Sequence, residues 1–434
     1  MADSPMVSAE LARFRDNSAG RVSPAWGTAQ IRKALVALGD PQDRLPPAIH
    51  LTGTNGKGST GAFIRAIAEA AGLKVHVFTS PHLIRVNERI RVASRLVEDE
   101  ALADVLEDIW RRTDALTYFE ALTAAAFCLF ADTPADLAII EVGAGGATDA
   151  TNVMNRPAAC VVTPISRDHE SMFGVSGVAA IARLKAGIFR EGTPAIVAEQ
   201  PRLALAVLRE EARTAAAPML YAGEDWNAAW DGDAFVYASD KVKVRAPWLG
   251  LPGRHQSHNA GAACAAVEAL GNRRITPDAM AAGLREAVWP GRLQQLKPGP
   301  LAGDGMVWVD AAHNPGGVAT LASEIRETRG EDSVAVVLAI QAAKDVESVA
   351  GELVGVADAF FLCPLPDSGG QEGGPGAEPR HVAAIIAAMG ARAEVAEDLA
   401  AAVAAARKSA ERVYVCGSVY LCGAALALNG ERVE

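Results

Sequence analysis

The stretch Gly53-Thr54-Asn55-Gly56-Lys57-Gly58-Ser59-Thr60 follows the apolar run Ile49-His50-Leu51 and precedes an Ala-rich helical pattern. Its glycines let backbone N–H groups turn toward one anion, and the N-terminus of the following helix adds a favourable dipole. Lys57 can neutralise the β and γ phosphates of a nucleotide, and a hydroxyl can reach Mg²⁺. The stretch therefore predicts a phosphate-binding loop between a strand and a helix.

This loop departs from the usual G-x-x-x-x-G-K-[ST] pattern. Only Thr54 and Asn55 separate Gly53 from Gly56, and Gly58 stands where Ser or Thr normally follows the lysine. A Gly-rich turn without a ligand is the alternative interpretation, but it gives no reason for a lysine between two glycines. We expect all eight residues to bind the nucleotide, with Lys57 acting in catalysis.

Short β-branched runs alternate with Ala- and Leu-rich helical stretches along the chain. Strand candidates lie at 48–52, 74–79, 136–142, 159–165 and 194–198, and a second series lies at 306–310, 334–340, 359–363 and 412–416. Helical patterns lie between them at 58–71, 98–111, 178–189, 257–270 and 399–407. Continuous apolar strands separated by helices predict parallel sheets covered on both faces, which is the α/β class.

Two Pro/Gly breaks, Trp289-Pro290-Gly291-Arg292 and Lys297-Pro298-Gly299-Pro300, lie within a dozen residues. Such a pair is typical of an interdomain hinge. We expect residues 1–290 to form an N-terminal phosphate-loop ATPase-like domain with a parallel sheet. Residues 291–300 would be the linker, and residues 301–434 a smaller C-terminal Rossmann-like α/β domain.

The composition excludes several classes of protein. Of 434 residues, 50% are hydrophobic and 21% are charged, which excludes a disordered chain. The net charge of −11 argues against a nucleic-acid or anionic-membrane partner. Six cysteines without a CxxC pair, and the absence of a signal pattern or long apolar run, favour a reduced, cytoplasmic protein. We expect a monomer.

The stretch 52–60 resembles the phosphate loop of the folylpolyglutamate synthase/dihydrofolate synthase family, relatives of the Mur ligases. Further segments resemble family signatures in the same order: 80–83, 87–90, 117–120, 141–146, 149–152, 168–169, 185–189, 251–255, 259–260, 290–292, 310–315, 344–345 and 417–420. One such motif is weak evidence, but this many in order is specific. The chain departs from the family pattern at Ala147 (usually Arg), Leu184 (usually Glu) and Ala343 (usually Asp).

The resemblance implies an ATP-dependent ligase that joins a carboxylate to the amine of L-glutamate, with dihydropteroate and reduced folates as acceptors. A carboxylate does not react with amines at neutral pH, so ATP first converts it to an acyl phosphate. The site must bring the carboxylate and the γ-phosphate together, which demands metal ions, a lysine and little water.

Two oxygen-bearing residues, Ser80 and Glu141, each lie at the end of a predicted strand. The carboxyl ends of parallel strands form the ligand crevice, and such oxygens suit Mg²⁺. Glu141 alone is equally well explained as a helix cap or a surface ion pair. The resemblance makes His169 a ligand of a second Mg²⁺, although a His beside Asp168 is more often a structural pair.

The resemblance implies that Lys185 is carbamylated by CO₂ and helps to hold the second metal ion. By itself, a lysine on an Ala/Ile-rich helix usually extends its head group to solvent. The resemblance thus places Lys57, Lys185, His169 and Asp310 in catalysis.

The remaining site residues also come from the resemblance. Asn259, Arg292 and Asp310 would contact ATP, whereas His313 and Ser418 would bind glutamate. Thr117, Phe119 and Asp149 would bind the pterin. The alternatives are a simple turn at His313-Asn314-Pro315 and a core position for Phe119. Ligands from both domains imply closure at the hinge before chemistry.

Three functions compete. The first is the bifunctional ligase described above. A Mur-type cell-wall ligase would use the same scaffold, but segments 117–120 and 80–83 favour a folate substrate; a monofunctional folylpolyglutamate synthase stays an alternative. A nucleotide-binding protein without ligase activity is the third candidate. The joint presence of Glu141, His169, Lys185 and Asp310 argues against it.

Overall fold

The computed structural model describes residues 3–18, 27–114, 116–168, 170–366 and 374–433. Strands in this part of the chain form sheets of eight, three and six strands. Residues up to 286, which supply the first two sheets, are called the N-terminal unit, and residues from 294 onward, which supply the third, the C-terminal unit. Among the described residues, no helix combines the length and apolar content needed to cross a membrane.

The helices of the N-terminal unit are α1 Pro5–Ser18, α2 Ala29–Ala37, α3 Lys57–Ala70, α4 Asp99–Arg112, α5 Tyr118–Asp132, α6 Glu170–Phe173, α7 Val178–Ala186, α8 Arg202–Thr214, α9 Gln256–Ala269 and α10 Pro277–Glu286. Its strands are β1 Ala48–Thr52, β2 Val75–Phe78, β3 Ile90–Val92, β4 Arg95–Leu96, β5 Leu137–Glu141, β6 Ala159–Val162, β7 Ala195–Val197, β8 Met219–Tyr221, β9 Trp226–Asp231, β10 Ala234–Ser239 and β11 Lys243–Ala246. Two 3-10 turns lie at Pro41–Arg44 and Val86–Arg89.

The C-terminal unit contains the helices α11 Pro315–Thr328, α12 Val346–Val354, α13 Pro379–Ala388, α14 Leu399–Ser409 and α15 Val419–Leu428. Its strands are β12 Gln294–Gln295, β13 Met306–Val309, β14 Val334–Leu338, β15 Ala359–Leu362, β16 Ala393–Val395 and β17 Arg412–Cys416.

The large sheet has the order β4-β3-β2-β5-β1-β6-β7-β8. From β2 to β8 every pairing is parallel. β1 and β5 are buried along their whole length, because helices cover both faces. Ile49 and Leu51 pack with α3, α9 and α10, whereas Ala138 and Ile140 pack with α1, α4 and α5. The phosphate loop therefore leaves the middle of this sheet.

The helices on these faces follow simple local rules. α4 presents Leu102, Leu106 and Ile109 to the core, begins with acidic residues and ends with basic ones, as the helix dipole favours. α5 begins with a capping box, in which Thr117 and Glu120 satisfy each other's backbone N–H groups.

The C-terminal sheet has the order β12-β13-β17-β14-β15-β16 and is parallel except for β12. Helices α14 and α15 cover one face and α11, α12 and α13 cover the other. The α/β class with two such units confirms the expected fold class. The boundaries at 290 and 300 remain predictions.

Antiparallel strands are the main departure from the expected parallel sheets. β3 and β4 add an antiparallel edge to the large sheet, and β9, β10 and β11 form a separate antiparallel sheet. This small sheet packs against α9, where Gly261 lies so close to Ala228 and Trp226 that a Cβ atom would overlap both.

Candidate active site

The phosphate loop connects the end of β1 to the first residue of α3, Lys57. Gly53 has φ +146° and Gly56 has φ +87°, a region that favours glycine. A Cβ atom at these positions would overlap Thr163 and Asn259, respectively. The two glycines therefore allow the loop to pass directly under neighbouring side chains, with the N-terminus of α3 facing the end of the sheet.

Lys57 lies in this loop beside a buried carboxylate. Its Nζ is 3.8 Å from Oε1 of Glu141, the last residue of β5, and 3.3 Å from the carbonyl oxygen of Gly53. Burial raises the pKa of Glu141, whereas Lys57 and the backbone N–H of Ser80 oppose that shift. A cation and an anion thus face each other where two parallel strands end.

Lys185 approaches the same loop from α7. Its Nζ donates a hydrogen bond of 2.7 Å to the carbonyl oxygen of Gly53, and the side chain is buried. Burial, helped by the nearby charge of Lys57, lowers the pKa of Lys185 to about 7. Burial thus disfavours the charged form of the Lys185 amine.

A chain of polar contacts ties the phosphate loop to the C-terminal unit. Asn314 Nδ2 donates to Asn55 Oδ1 at 2.9 Å and to Asp168 Oδ2 at 3.1 Å. Lys344 Nζ lies 2.6 Å from Asp168 Oδ1. Asn55 in turn donates to Ser166 Oγ at 3.2 Å. Residues 166–168 thus connect the loop to α11 and to the segment before α12.

Ser80 follows β2 and lines a pocket between the two units. The same pocket is lined by Gly58, Glu141 and Arg292, and by Val419 at the start of α15. Ser80 and Glu141 therefore lie on one cavity, as the ends of neighbouring strands β2 and β5 should.

Of the three residues expected to contact ATP, Asn259 lies against the phosphate loop, and Arg292 lines the pocket that Gly58 also lines. Asn259 is buried, donates to Gln256 Oε1 at 2.9 Å and accepts from Thr60 Oγ1 at 3.5 Å. Arg292 donates to the carbonyl oxygen of Gly291 at 3.0 Å. The Asp310 carboxylate accepts the N–H groups of Leu293 and Ala312 at 2.7 and 2.8 Å, which fixes its position after β13.

The expected glutamate residues lie at the ends of strands β13 and β17. His313 Nδ1 is 2.8 Å from the carbonyl oxygen of Ala311, and its Nε2 is 3.7 Å from Asp168 Oδ2. Ser418 is buried and caps α15, where its Oγ accepts the N–H of Tyr420 at 3.2 Å. These neighbouring strands thus bring both residues to one edge of the C-terminal sheet.

The three expected pterin residues all have contacts within the chain. Thr117 caps α5 and donates to Glu120 Oε2 at 2.8 Å. Asp149 accepts from the N–H groups of Ala144 and Thr151 and from the Thr151 hydroxyl, at 2.5 to 2.9 Å. The ring of Phe119 packs so closely over Gly143 that a Cβ atom there would overlap it.

His169 lies outside the described residues. The donor set that is described fits Mg²⁺, because the Glu141 carboxylate is buried and shares its cavity with the Ser80 hydroxyl. A divalent cation there would add positive charge beside a buried carboxylate whose ion pair with Lys57 is long, at 3.8 Å.

Sequence reasoning assigned no role to Asn314 or Lys344, although both lie in the motifs 310–315 and 344–345. The structure shows them contacting Asn55 and Asp168 across the units. Asn314 is 259 residues from Asn55, and Lys344 is 176 residues from Asp168, so no local sequence pattern predicts these contacts.

Comparisons with known proteins match both units of the chain to one family of ligases. Residues 51–267 match the Mur ligase middle domain, and residues 291–419 match the Mur ligase glutamate ligase domain. The dihydrofolate synthase/folylpolyglutamate synthase of Bacillus subtilis is 34% identical over 353 residues, which cover 77% of this chain and 80% of that protein.

Two solved structures are similar along nearly the whole chain. The structure described as E. coli FolC in complex with DHPP and ADP has a TM-score of 0.84 and 29% identity, covering 98% of this chain and 99% of that one. A bifunctional folylpolyglutamate synthase/dihydrofolate synthase with Mn, AMPPNP and L-glutamate bound has a TM-score of 0.83 and 27% identity, covering 97% of each chain. The chain belongs to the folylpolyglutamate synthase/dihydrofolate synthase family of Mur ligases and is an ATP-dependent ligase.

Proposed function

We propose that the protein joins L-glutamate to 7,8-dihydropteroate and also to reduced folates, and is thus bifunctional. The observation that carries this proposal is the convergence of Lys57, Glu141 and Lys185 on the phosphate loop, with Asn314 and Lys344 of the C-terminal unit in contact with the same region. Such an arrangement suits a reaction in which a nucleotide and two further substrates meet between the units.

The ligands of the similar structures support the same substrates. One holds ADP with DHPP, and the other holds Mn, AMPPNP and L-glutamate. We carry these over as a nucleotide, a divalent cation, a pterin compound and glutamate. The phosphate loop would bind the nucleotide, and the Ser80 and Glu141 oxygens would bind the cation. The pterin compound would contact Thr117, Phe119 and Asp149, and glutamate would contact His313 and Ser418.

The first step forms an acyl phosphate. An oxygen of the acceptor carboxylate attacks the γ-phosphorus of ATP, the bond from that phosphorus to the β–γ bridging oxygen breaks, and ADP leaves with the electron pair. Lys57 would stabilise the charge on the transferring group, because a fixed cation in a site with little water costs no reorganisation. The N-terminus of α3 adds its dipole to the same oxygens.

The second step forms the amide bond. The neutral amine of glutamate attacks the acyl carbon, the bond from that carbon to the phosphate oxygen breaks, and phosphate leaves while the nitrogen loses a proton. His313 and Ser418 would hold the glutamate, since both follow strands of the C-terminal sheet and His313 lies 3.7 Å from Asp168 of the N-terminal unit. Asp310, fixed by two backbone N–H groups, would orient the nucleotide with Asn259 and Arg292.

Two Mg²⁺ ions are part of the proposal. Glu141 and Ser80 would hold one, and His169 with a carbamylated Lys185 would hold the other. When bound, the ions supply positive charge that lets two anions approach each other. The neutral amine of Lys185 is the form that captures CO₂, and the low pKa of this group favours it.

The proposal also includes a hinge at residues 291–300, domain limits of 1–290 and 301–434, a monomeric state and a cytoplasmic location. Closure at the hinge would bring the C-terminal residues onto the bound nucleotide. Light scattering coupled to gel filtration tests the monomer.

Positional oxygen exchange within ATP tests the order of steps. ATP and dihydropteroate without glutamate should scramble the labelled β–γ bridge oxygen, because the acyl phosphate forms reversibly before the amine is needed. Product formation without any such exchange would contradict a reversible first step.

A further inference from the structure

In the loop at residues 81–85, the side-chain carboxylate of Glu88 holds the backbone in place. Glu88 accepts the backbone N–H groups of Leu83, Ile84 and Arg85 at 2.7, 2.8 and 2.7 Å. Nη2 of Arg85 also donates to both carboxylate oxygens of Asp99, at 2.6 and 2.8 Å. Three successive N–H groups bound to one side chain leave this backbone little freedom.

The tip of this loop enters the C-terminal unit. Leu83 and Ile84 pack against the buried cluster that contains Leu421 and Cys422 of α15. At Gly423 the two backbones approach so closely that a Cβ atom would overlap the carbonyl oxygen of Leu83 and lie 2.6 Å from its carbonyl carbon. Because the opposing atoms are backbone, no side-chain rotation relieves such a contact.

Both partners of this contact carry a proposed substrate or metal residue a short distance away. Ser80 precedes Leu83 by three residues, and Ser418 caps the helix in which Gly423 lies. A constrained loop on one side and a helix on the other form a stiff connection between these two hydroxyl groups. A shift of this contact would move both residues relative to each other.

We propose that Glu88 and the Leu83–Gly423 contact fix the position of the N-terminal side of the active site, at Ser80, relative to its C-terminal side, at Ser418. Glu88 is a positioning residue that acts through the backbone of residues 83–85. Gly423 is the residue through which α15 packs against that loop, and we call its contact with Leu83 the seating contact. The roles of Ser80 and Ser418 in this inference rest on the proposed function, whereas the seating contact itself does not.

Gly423→Ala tests the seating contact. Alanine has a higher helix propensity than glycine, so the substitution should not destabilise α15 itself. The matched control is Gly351→Ala in α12 of the same unit, where a Cβ atom would meet nothing within 4 Å. We expect Gly423→Ala to lower kcat/KM for glutamate by about 100-fold or more, the effect of a displacement near 1 Å, and Gly351→Ala to change it less than about twofold.

Glu88→Gln tests the loop separately, because an amide offers only one acceptor oxygen. We expect faster hydrogen exchange at the amides of residues 83–85, a higher Mg²⁺ requirement and a higher KM for glutamate. Glu100→Gln, on the exposed side of α4, is the control and should change none of these. An active Glu88→Gln variant with unchanged exchange would overturn the role of Glu88.

Small-angle scattering separates this inference from the proposed function. Gly423→Ala should give a larger radius of gyration than the wild type and Gly351→Ala with nucleotide present, whatever the substrate proves to be. If folates are not substrates but this difference is seen, the proposed function fails and the seating contact stands. If Gly423→Ala matches Gly351→Ala in both activity and scattering, the inference is wrong.

Discussion

Lys344 of the C-terminal unit lies 2.6 Å from Asp168 of the N-terminal unit, and their side chains are only 14% and 7% exposed. Removing one partner of such a pair leaves the other charge buried. Lys344→Met should therefore destabilise the protein by about 3 kcal/mol.

The Lys344→Met and Asp168→Asn double-mutant cycle measures the pair directly by urea unfolding without metal ions. The exposed pair Lys33–Asp114 is the matched control and should couple by less than about 1 kcal/mol. Equal coupling energies in the two cycles would show that the Lys344–Asp168 pair stabilises the protein no more than an exposed ion pair does.

Lys57→Ala should reduce turnover by about 10²- to 10³-fold, because it removes the cation nearest the transferring phosphate. Lys33→Ala, at an exposed position of α2, should leave turnover unchanged. Steady-state ADP release by both variants, with folding checked by circular dichroism, provides the comparison. Near-normal turnover of folded Lys57→Ala would remove the phosphate loop from the mechanism.

Lys185 should carry a carbamate, seen as added density at Nζ in a crystal or as incorporation of isotopically labelled CO₂. Since the neutral amine reacts and its pKa is about 7, incorporation should rise as the pH increases through 7. Lys185→Ala should be nearly inactive and partly rescued by a small carboxylic acid. An unmodified Lys185 with Mg²⁺ and nucleotide bound, together with an active Lys185→Ala, would contradict this.

His50 in β1 should make the fold sensitive to acid. Burial lowers the pKa of His50 to about 3, so the folded protein leaves it neutral while the unfolded chain protonates it below about 6.5. The unfolded state then binds more protons, and the free energy of unfolding should fall by about 1 kcal/mol between pH 6.5 and 5.5.

His50→Gln should flatten this pH dependence, because the amide does not titrate. Its side chain offers an N–H to Thr151 Oγ1, which lies 2.9 Å from His50 Nε2. Urea unfolding of both proteins between pH 5 and 7 tests the difference in slope. Parallel slopes would assign the acid sensitivity to other groups.

The parts of the fold that the sequence predicts are local. β1, the loop and α3 follow from a buried apolar run, glycines and an Ala-rich helix within 25 residues. The sequence analysis did not predict the antiparallel hairpin of β9 and β10. Its signal is Gly232 directly after Asp231, at a turn where the backbone has φ +63°.

The site was predictable only where a motif marks it. Glu141 and Ser80 meet because parallel strands end on one side of the sheet, a rule that needs no structure. Lys344 and Asp168 meet through the packing of two units, which no local pattern encodes. The burial that lowers the pKa of Lys185 is likewise a property of the assembled α7 and phosphate loop.

The most direct test of the proposed function is ADP release with L-glutamate, comparing 7,8-dihydropteroate, tetrahydrofolate and a UDP-muramoyl substrate. We predict glutamate-dependent ADP release and a glutamylated product with both pteridine substrates, and none with the UDP-muramoyl substrate. Activity with tetrahydrofolate alone would restrict the protein to folylpolyglutamate synthesis. Activity with the UDP-muramoyl substrate, or none with either pteridine, would contradict the central claim.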